Sequence, residues 1–435
     1  MPRHRARRGD GSPDRDRATR AGSWRRAGRR TIVALVVTAA VTAVGCSAAP
    51  AAAPPRAPVT TTTAAATPVA APRTGVPDLQ VEVLADGLDH VWDMGFLPDG
   101  RVLFTERDGG VSLLSSTEPG ATVTPVDADF SDVLVNGEGG LMGLVVHADF
   151  DRTRRFSTCQ TNQVEDTATD IRLVTWELST DATSATRVAN PLLGGLPINP
   201  SGRHSGCRTT LAPDGTVYIG TGDTARGAIP QDLNSLGGKV LHIDIETGGP
   251  APDNPFVDDP NPARRLIYTY GHRNVQGVTV QPTTGDVFSA EHGPDTDDEV
   301  NRLEPGANYG WDPSQGGTVG GYDEDVPMTD LERFPDAVAA IWSSGSPVEA
   351  ISGAGFISGP QWGDLDGALA VGALRGQKLL LMRLAADGSV AEVLTPAPLD
   401  GEFGRLRGVR LAPDGSLLVS TSNGRDDKIL RVTPV

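Results

Sequence analysis

The chain has 435 residues, a formal net charge of −17, few aromatic residues, 52 glycines and 34 prolines. This composition excludes a helical bundle and is typical of a turn-rich globular domain. Residues 1–30 contain eleven arginines and three aspartates, so once their +8 is set aside the rest of the chain carries about −25, which argues against a nucleic-acid partner.

The N-terminal segment is typical of an export signal. The basic leader is followed by an uncharged apolar run, Thr31–Val44, that is too short to span a bilayer and fits the apolar region of a signal peptide. Gly45 and Cys46 at its end resemble a bacterial lipobox, in which the cysteine is lipidated; a signal-anchor with a chance cysteine is the alternative. We therefore predict that residues 1–46 form a signal peptide, and that the exported protein is lipid-anchored to the outer face of the bacterial cell membrane.

A low-complexity segment follows the predicted cleavage site. Residues 47–76 consist almost entirely of Ala, Pro and Thr, a composition that cannot form a packed core. We expect a disordered tether there and a folded domain over residues 77–435.

Two cysteines remain in the predicted folded domain. In an oxidising compartment Cys159 and Cys207 favour a disulfide. Two separately buried thiols are the alternative.

A hairpin pattern recurs along the folded domain. It is clearest in "LPDGRVLFTER" (97–107), "LAPDGTVYIGTGD" (211–223) and "LAPDGSLLVSTSN" (411–423), where a Pro/Asp/Gly turn precedes an alternating strand. With degenerate copies included, the turns lie near residues 98, 149, 213, 283, 364 and 413. Six hairpins at this spacing predict an all-β fold, a six-bladed β-propeller with four-stranded antiparallel blades. A β-sandwich or two stacked barrels is the alternative.

Three long glycine- and proline-rich insertions separate the hairpins, at residues 224–235, 246–264 and 311–345. We expect them to lie over one face of the propeller, where functional residues gather near the central channel.

Polar segments beside glycines interrupt the hairpin pattern. His204 is a candidate base because imidazole titrates near neutral pH; a solvated loop histidine is the alternative. Arg273, Arg375 and Arg405 would create a positive pocket suited to a planar anion with several carboxylates. The acidic run at residues 295–299 has a spacing suited to a hard cation; a solvated acidic loop is the alternative.

Three motifs match a known family in order: "GHRNVQG" (271–277), "EHGP" (291–294) and "NYGW" (308–311). From about Leu88 to the C-terminus the chain resembles the soluble quinoprotein sugar dehydrogenases, also called the glucose/sorbosone or aldose sugar dehydrogenase family. The resemblance implies a six-bladed propeller, pyrroloquinoline quinone (PQQ), Ca²⁺, and oxidation of aldose sugars to lactones, with electrons passed to an acceptor in the cell envelope.

The same resemblance assigns roles by position. His204 looks like the general base, with Arg273 and Asn274 at the reactive edge of the quinone. The implied cofactor contacts are Glu138, Arg273, Asn274, Arg375, Arg405 and Arg407. The carbonyls of Gly293 and Pro294 look like Ca²⁺ ligands, and Glu299 and Tyr309 fall at positions linked to a second, structural calcium site.

The sequence departs from the family pattern in the same pocket. Glu138 stands where glutamine is common, Arg203 where the glucose-oxidising branch has aspartate, and Val275 where proline is usual. Two other functions therefore stay open: a ligand-binding propeller lipoprotein without catalysis, and a Ca²⁺-dependent lactonase. The clustered arginines favour the quinoprotein.

Overall fold

The computed structural model describes residues 75–319 and 321–435, and nearly all regular structure in these ranges is β-strand. The helical segments are α1 (Phe150–Thr153) and three short 3₁₀ turns (Arg264–Leu266, Pro360–Leu365 and Ala397–Leu399). Within these ranges no helix is long and apolar enough to cross a membrane. The predicted signal peptide, Cys46 and the tether up to residue 74 lie outside the described residues, so those predictions stay open.

The strands form six four-stranded antiparallel sheets. The first strand, β1 (Leu79–Leu88), belongs to the sixth sheet. Blade 1 contains β2 (Val91–Phe96), β3 (Val102–Glu106), β4 (Gly110–Leu114) and β5 (Val123–Pro125). Blade 2 contains β6 (Leu141–Val146), β7 (Arg155–Val164), β8 (Thr167–Leu178) and β9 (Ala185–Leu196). Blade 3 contains β10 (Gly206–Leu211), β11 (Thr216–Thr221), β12 (Lys239–Asp244) and β13 (Ile267–Tyr270).

The remaining three sheets follow the same order along the chain. Blade 4 contains β14 (Val275–Val280), β15 (Val287–Glu291), β16 (Glu299–Leu303) and β17 (Trp342–Ser343). Blade 5 contains β18 (Ile351–Phe356), β19 (Leu369–Ala373), β20 (Lys378–Leu384) and β21 (Val390–Leu394). Blade 6 contains β22 (Leu406–Leu411), β23 (Leu417–Thr421) and β24 (Asp427–Pro434), and β1 completes it.

The predicted six-bladed propeller is therefore confirmed, and each of the six predicted turns joins the first two strands of one blade. The glycine of the Pro-Asp-Gly turns has a physical requirement. Gly100, Gly215 and Gly415 have φ angles of 89°, 88° and 82°, a region that other residues enter only with strain. The recurring sequence pattern thus marks the inner hairpin of every blade.

The ring is closed by pairing the two ends of the described chain. β1 runs antiparallel to β24, with Leu79 opposite Pro434 and Leu88 opposite Asp427. Closure of this kind removes an exposed sheet edge, which would otherwise be a site of aggregation.

The hydrophobic core is divided among the six interfaces between neighbouring blades. Leu103 of blade 1 packs with Phe156 and Trp176 of blade 2, for example, and Val275 of blade 4 packs with Val240 of blade 3. The six first strands line the central channel and approach each other closely. A Cβ on Gly353 would lie 2.4 Å from the carbonyl oxygen of Arg407 on the next blade, so only glycine fits there.

One expectation about the insertions is wrong. Residues 246–264 pack at the end of the blades where the Pro-Asp-Gly turns lie, since Asn254 donates to the carbonyl of His242 and Glu246 pairs with Arg155. Residues 224–235, by contrast, lie at the opposite end of blade 3, where β11 ends and β12 begins. Residues 246–264 start at that end because they follow the third strand of blade 3, whereas residues 224–235 follow the second. Residues 311–345 also follow a third strand, but this longer insertion reaches the channel mouth, where Glu324 lines the cavity.

The predicted disulfide is confirmed. Cys159 on β7 is bonded to Cys207 on β10, with a Cα–Cα distance of 6.1 Å. The bond links blade 2 to blade 3. Cys207 lies three residues after His204.

Candidate active site

The polar segments singled out in the sequence meet at one end of the channel. Glu138 precedes β6, His204 precedes β10, Arg273 and Asn274 precede β14, and Arg405 precedes β22. Because the first strands of all blades run in the same direction around the channel, the residues that enter them lie at the same mouth. Residues distant in sequence are thereby placed around one cavity.

Two glycine-rich loops are packed directly against each other at this mouth. The backbone N–H of Glu138 donates to the carbonyl of Gly202, and the side-chain amide of Asn136 donates to the carbonyl of Pro200. A Cβ on Gly202 would lie 1.6 Å from the carbonyl oxygen of Asn136, so the loops could not approach with any other residue there. This contact places Glu138 and His204 on the same wall.

His204 forms a buried pair with a carboxylate that the sequence reasoning missed. Its Nδ1 lies 2.8 Å from Oδ1 of Asp223, and the two residues are 3% and 0% exposed. Since a carboxylate accepts, Nδ1 carries the hydrogen, and no described residue hydrogen-bonds Nε2. His204 also has φ of +50°, an unfavourable conformation for a non-glycine residue that is often found at functional sites.

Asp223 is itself fixed by three donors. Trp311 Nε1 lies 2.8 Å from its Oδ2, the hydroxyl of Tyr322 lies 2.7 Å from the same oxygen, and the backbone N–H of Ala225 lies 2.8 Å from Oδ1. These bonds hold the carboxylate as an orienting group for the imidazole. Asp223 ends the "LAPDGTVYIGTGD" hairpin of blade 3. Nothing in the hairpin pattern distinguished it from an aspartate in an ordinary turn.

The "GHRN" segment (271–274) before β14 contributes two residues to the cavity lining and one buried residue behind it. Arg273 and Asn274 line the cavity. His272 is fully buried, with Nδ1 2.8 Å from Glu291 Oε2 and Nε2 2.9 Å from Thr269 Oγ1. The backbone N–H of Arg273 also donates to Glu291. His272 therefore anchors the strand entrance.

Arg273 is paired with a carboxylate from the long insertion of blade 4. Its guanidinium donates to Glu324 Oε1 at 2.6 Å and to the carbonyl of His292 at 2.8 Å. Arg203 donates to the other oxygen of Glu324 at 2.5 Å. Burial raises the pKa of Glu324, but the hydrogen bonds from Arg273 and Arg203 outweigh it, so the pKa lies below its usual range and the group is ionised. No motif in the sequence indicated Glu324.

Glu138 is directed at amide groups rather than at a cation. Its Oε2 accepts from Asn274 Nδ2 at 2.9 Å and from Gln276 Nε2 at 3.2 Å. Gln276, the middle of the "VQG" entrance to β14, links this wall to the next arginine. Arg407 NH1 lies 3.3 Å from Gln276 Oε1.

Arg407 is a buried cation at the start of blade 6. Its guanidinium lies 3.8 Å from the ring centroid of Trp92 and its Nε donates to Ser422 Oγ. Among residues 75–319 and 321–435, its side-chain hydrogen bonds go to Ser422, Gln276 and Ser352, and no carboxylate forms an ion pair with it. Burial lowers the pKa of Arg407 to about 9, which still leaves it charged at neutral pH. A buried guanidinium of this kind fits an anionic ligand.

The other two predicted arginines lie at the same end but are exposed. Arg405 donates from Nε to the carbonyl of Ser422 at 3.2 Å, so it shares a residue with Arg407. Arg375 stands in the turn between β19 and β20. None of Arg375, Arg405 and Arg407 lines the cavity around His204; Arg407 lies behind its wall, linked to it through Gln276.

The acidic segment after β15 is divided between structure and cavity. Pro294 and Asp295 line the cavity, as does His292. Asp298 is instead buried and accepts from the backbone N–H of Gly293 at 2.9 Å, which closes a tight turn. Burial lowers the pKa of His292, so its ring is neutral at physiological pH.

Glu299 and Tyr309 lie beside the buried His272–Glu291 pair and do not line the cavity. Glu299 stands opposite Glu291 on the neighbouring strand, and its Oε1 accepts from Thr329 Oγ1 at 3.0 Å. Burial, reinforced by Glu291, raises the pKa of Glu299 to about 8. Tyr309 stacks on His272 with ring centroids 4.7 Å apart, and its hydroxyl donates to the carbonyl of Arg302.

The resulting cavity has a volume of about 280 Å³ and a strongly polar lining. Its walls are formed by Glu138, Arg203, His204, Arg273, Asn274, His292, Pro294, Asp295 and Glu324. It combines an imidazole whose Nε2 is free of described partners, a fixed orienting carboxylate and two guanidinium groups. Such an arrangement can remove a proton from a hydroxyl group and stabilise negative charge beside it.

Comparisons with known proteins agree with this geometry. The family model described as Glucose / Sorbosone dehydrogenase matches residues 88–431. The aldose sugar dehydrogenase YliI of Escherichia coli K12 is 30% identical over 368 residues, which cover 84% of this chain and 94% of that protein.

Solved structures are similar over nearly their whole length. The PQQ-bound form of an aldose sugar dehydrogenase from Streptomyces coelicolor is 28% identical, with a TM-score of 0.66 over 83% of this chain and 99% of that one. A putative oxidoreductase (glucose dehydrogenase) from Thermus thermophilus is 35% identical, with a TM-score of 0.67 over 81% of this chain and 99% of that one.

Proposed function

The chain belongs to the glucose/sorbosone dehydrogenase family, and on this premise we propose that it is a PQQ-dependent dehydrogenase that oxidises aldose sugars to lactones. The observation that carries the proposal is the His204–Asp223 pair at the wall of an arginine-containing cavity. Membership of the family supports an oxidoreductase in general; the cofactor, the base and the reaction below are the proposal.

The base is His204. With the hydrogen on Nδ1 held by Asp223, the lone pair of Nε2 is available to accept the proton of the anomeric hydroxyl. Asp223 stabilises the imidazolium that then forms, and Trp311 and Tyr322 keep Asp223 in place. The buried position of both residues limits competing bonds from water.

PQQ, when bound, supplies the acceptor for the hydride that leaves the same carbon. The buried guanidinium of Arg407, which makes no ion pair with a described residue, fits a ligand with several carboxylates, and Arg405 and Arg375 would bind its outer part. Arg273 and Asn274 would stabilise negative charge at the end nearest the base.

The backbone around Gly293 and Pro294 would hold Ca²⁺ against the cofactor, with Asp295 as a further oxygen donor in the cavity. Glu299 is proposed as part of a second calcium site with Tyr309. The burial of Glu299 opposite Glu291 supports this assignment, because a cation would stabilise two neighbouring buried carboxylates.

The proposal includes the location of the protein. Export and a lipid on Cys46 would place the propeller outside the cytoplasmic membrane, where an acceptor in the envelope takes up the electrons. The Cys159–Cys207 disulfide supports an oxidising compartment. Cell fractionation and palmitate labelling test it: Cys46→Ser should release the protein from the membrane, and membrane retention of the unlabelled variant would contradict the anchor.

The central experiment adds PQQ and Ca²⁺ to the purified protein and follows cofactor absorbance and sugar-dependent dye reduction. We expect an absorbance change on binding and dye reduction with an aldose. His204→Ala should abolish dye reduction and leave quinone binding nearly unchanged. An absence of binding at micromolar PQQ would favour a ligand-binding propeller instead, and turnover by His204→Ala would exclude His204 as the base.

A further inference from the structure

Glu324 lies in the long insertion of blade 4, and both of its carboxylate oxygens accept hydrogen bonds from arginines that line the cavity. Oε1 accepts from Arg273 at 2.6 Å and Oε2 from Arg203 at 2.5 Å. Arg203 is 45% exposed and Glu324 35%, so the pair lies at the open side of the cavity next to His204. Both side chains line the same cavity as His204.

Glu324 decides the charge of this opening. Arg203 and Arg273 are the two cations in the cavity lining, and Glu138, Asp295 and Glu324 are its anions. Apart from its two imidazoles, the lining has three carboxylates and two guanidinium groups, and Glu324 is the carboxylate in excess.

The segment that carries Glu324 is tied to the catalytic pair. Two residues earlier, the Tyr322 hydroxyl donates to Asp223 at 2.7 Å, and its ring lies below the guanidinium of Arg203, 5.4 Å from centroid to Cζ. The position of Glu324 is thus set relative to His204. Its side chain contacts the arginines and takes no part in the turns that shape the insertion.

We propose that Glu324 selects substrates by charge, admitting neutral aldoses and rejecting aldoses that carry a carboxylate. This inference rests on the proposed function and names its substrate class. A guanidinium and a carboxylate side by side offer a donor and an acceptor to neighbouring sugar hydroxyls. An anionic sugar would instead meet the like charge of Glu324, and its own carboxylate would have to displace Glu324 from two guanidinium groups.

The test compares D-glucose with D-glucuronate in the PQQ- and Ca²⁺-loaded protein, before and after Glu324→Gln. The substitution keeps the shape and removes the charge. We expect kcat/KM of the native protein to favour glucose, and the glucose-to-glucuronate ratio to fall by on the order of tenfold in the variant, mainly through KM for glucuronate. The matched control is Glu332→Gln, which removes the same charge from an exposed position in the same insertion and should leave the ratio unchanged.

A second readout is independent of turnover: equilibrium dialysis of PQQ against both proteins. We expect the quinone affinity of Glu324→Gln to stay within about threefold of the native protein. If sugars are oxidised and the ratio does not move, the inference is overturned while the proposed function stands. A large change in quinone affinity with an unchanged ratio would likewise overturn it, since Glu324 would then compete with the cofactor. If no sugar is oxidised, the proposed function fails and the inference fails with it.

Discussion

His204 and Asp223 form a buried hydrogen bond of 2.8 Å between Nδ1 and Oδ1 at the wall of the cavity. The pair joins the loop before β10 to the end of β11, so one hairpin of blade 3 supplies both members. It leaves Nε2 of His204 as the basic nitrogen, and every proposed step at the sugar depends on it.

Asp223→Asn tests this relationship. An amide in place of the carboxylate no longer fixes the hydrogen on Nδ1 or stabilises the imidazolium, so we expect kcat to fall by about 10²-fold with little change in quinone affinity. Steady-state kinetics and PQQ binding measure the two effects. Asp253→Asn is a matched control, because Asp253 also lies beside a histidine, His242, at 3.5 Å but outside the cavity. Equal losses in both variants would contradict an orienting role for Asp223.

Arg407→Gln should separate ligand binding from stability. The substitution removes a buried charge that no described carboxylate neutralises, so we expect the free energy of unfolding to change by less than about 1 kcal/mol. Quinone affinity should fall by at least about tenfold because a carboxylate contact is lost. Denaturant titration and PQQ binding are the measurements.

Arg410→Gln is the control for that comparison. Arg410 donates to the fully buried Asp93 at 2.8 Å, and Arg208 lies 3.2 Å from the same carboxylate. Removing Arg410 should destabilise the fold by about 3 kcal/mol, because Asp93 loses one of its two cations. If Arg407→Gln is the more destabilising of the two, the buried arginine is a structural group and not a ligand contact.

Closure of the propeller predicts a sharp limit to N-terminal truncation. A chain that begins at Gly75 should give a cooperative thermal transition, whereas one that begins at Asp89 lacks β1 and exposes the edge of β24. It also loses Leu84 and Leu88 from the core between blades 6 and 1. We expect the shorter chain to aggregate or to melt without a cooperative transition. Circular dichroism measures both thermal transitions. A cooperative transition in both chains would show that closure does not depend on β1.

The stability of the protein should decrease in mild acid through His147. Burial lowers the pKa of His147, with Glu246 opposing the shift, and its Nε2 bonds Ser157 at 2.9 Å. The unfolded chain takes up a proton near pH 6.5, but the folded protein does so only at lower pH. Stability from this group is therefore complete above about pH 6.5 and is lost as pH falls below it.

Denaturant titrations at pH 7.5 and 5.5 measure this loss. His147→Gln does not titrate, so the variant should lose less stability between the two pH values than the native protein does. Equal losses would assign the acid sensitivity to other groups.

The fold could be predicted from the sequence because it depends on local chemistry. The three Pro-Asp-Gly turns each require a glycine with positive φ. Together with three degenerate copies at a spacing near that of a four-stranded blade, they leave few architectures other than a propeller. The order of the segments around His204 and Arg273 was also readable, since first strands that run in one direction bring their entrances together.

The composition of the site was decided by tertiary structure. Asp223 looked like any turn aspartate until β10 and β11 paired, and Glu324 lies in an insertion with no periodic pattern. Arg405 and Arg407 are two residues apart, yet one is exposed and the other buried against Trp92. Such contacts depend on how chain segments far apart in sequence are packed, and local propensity carries no information about that packing.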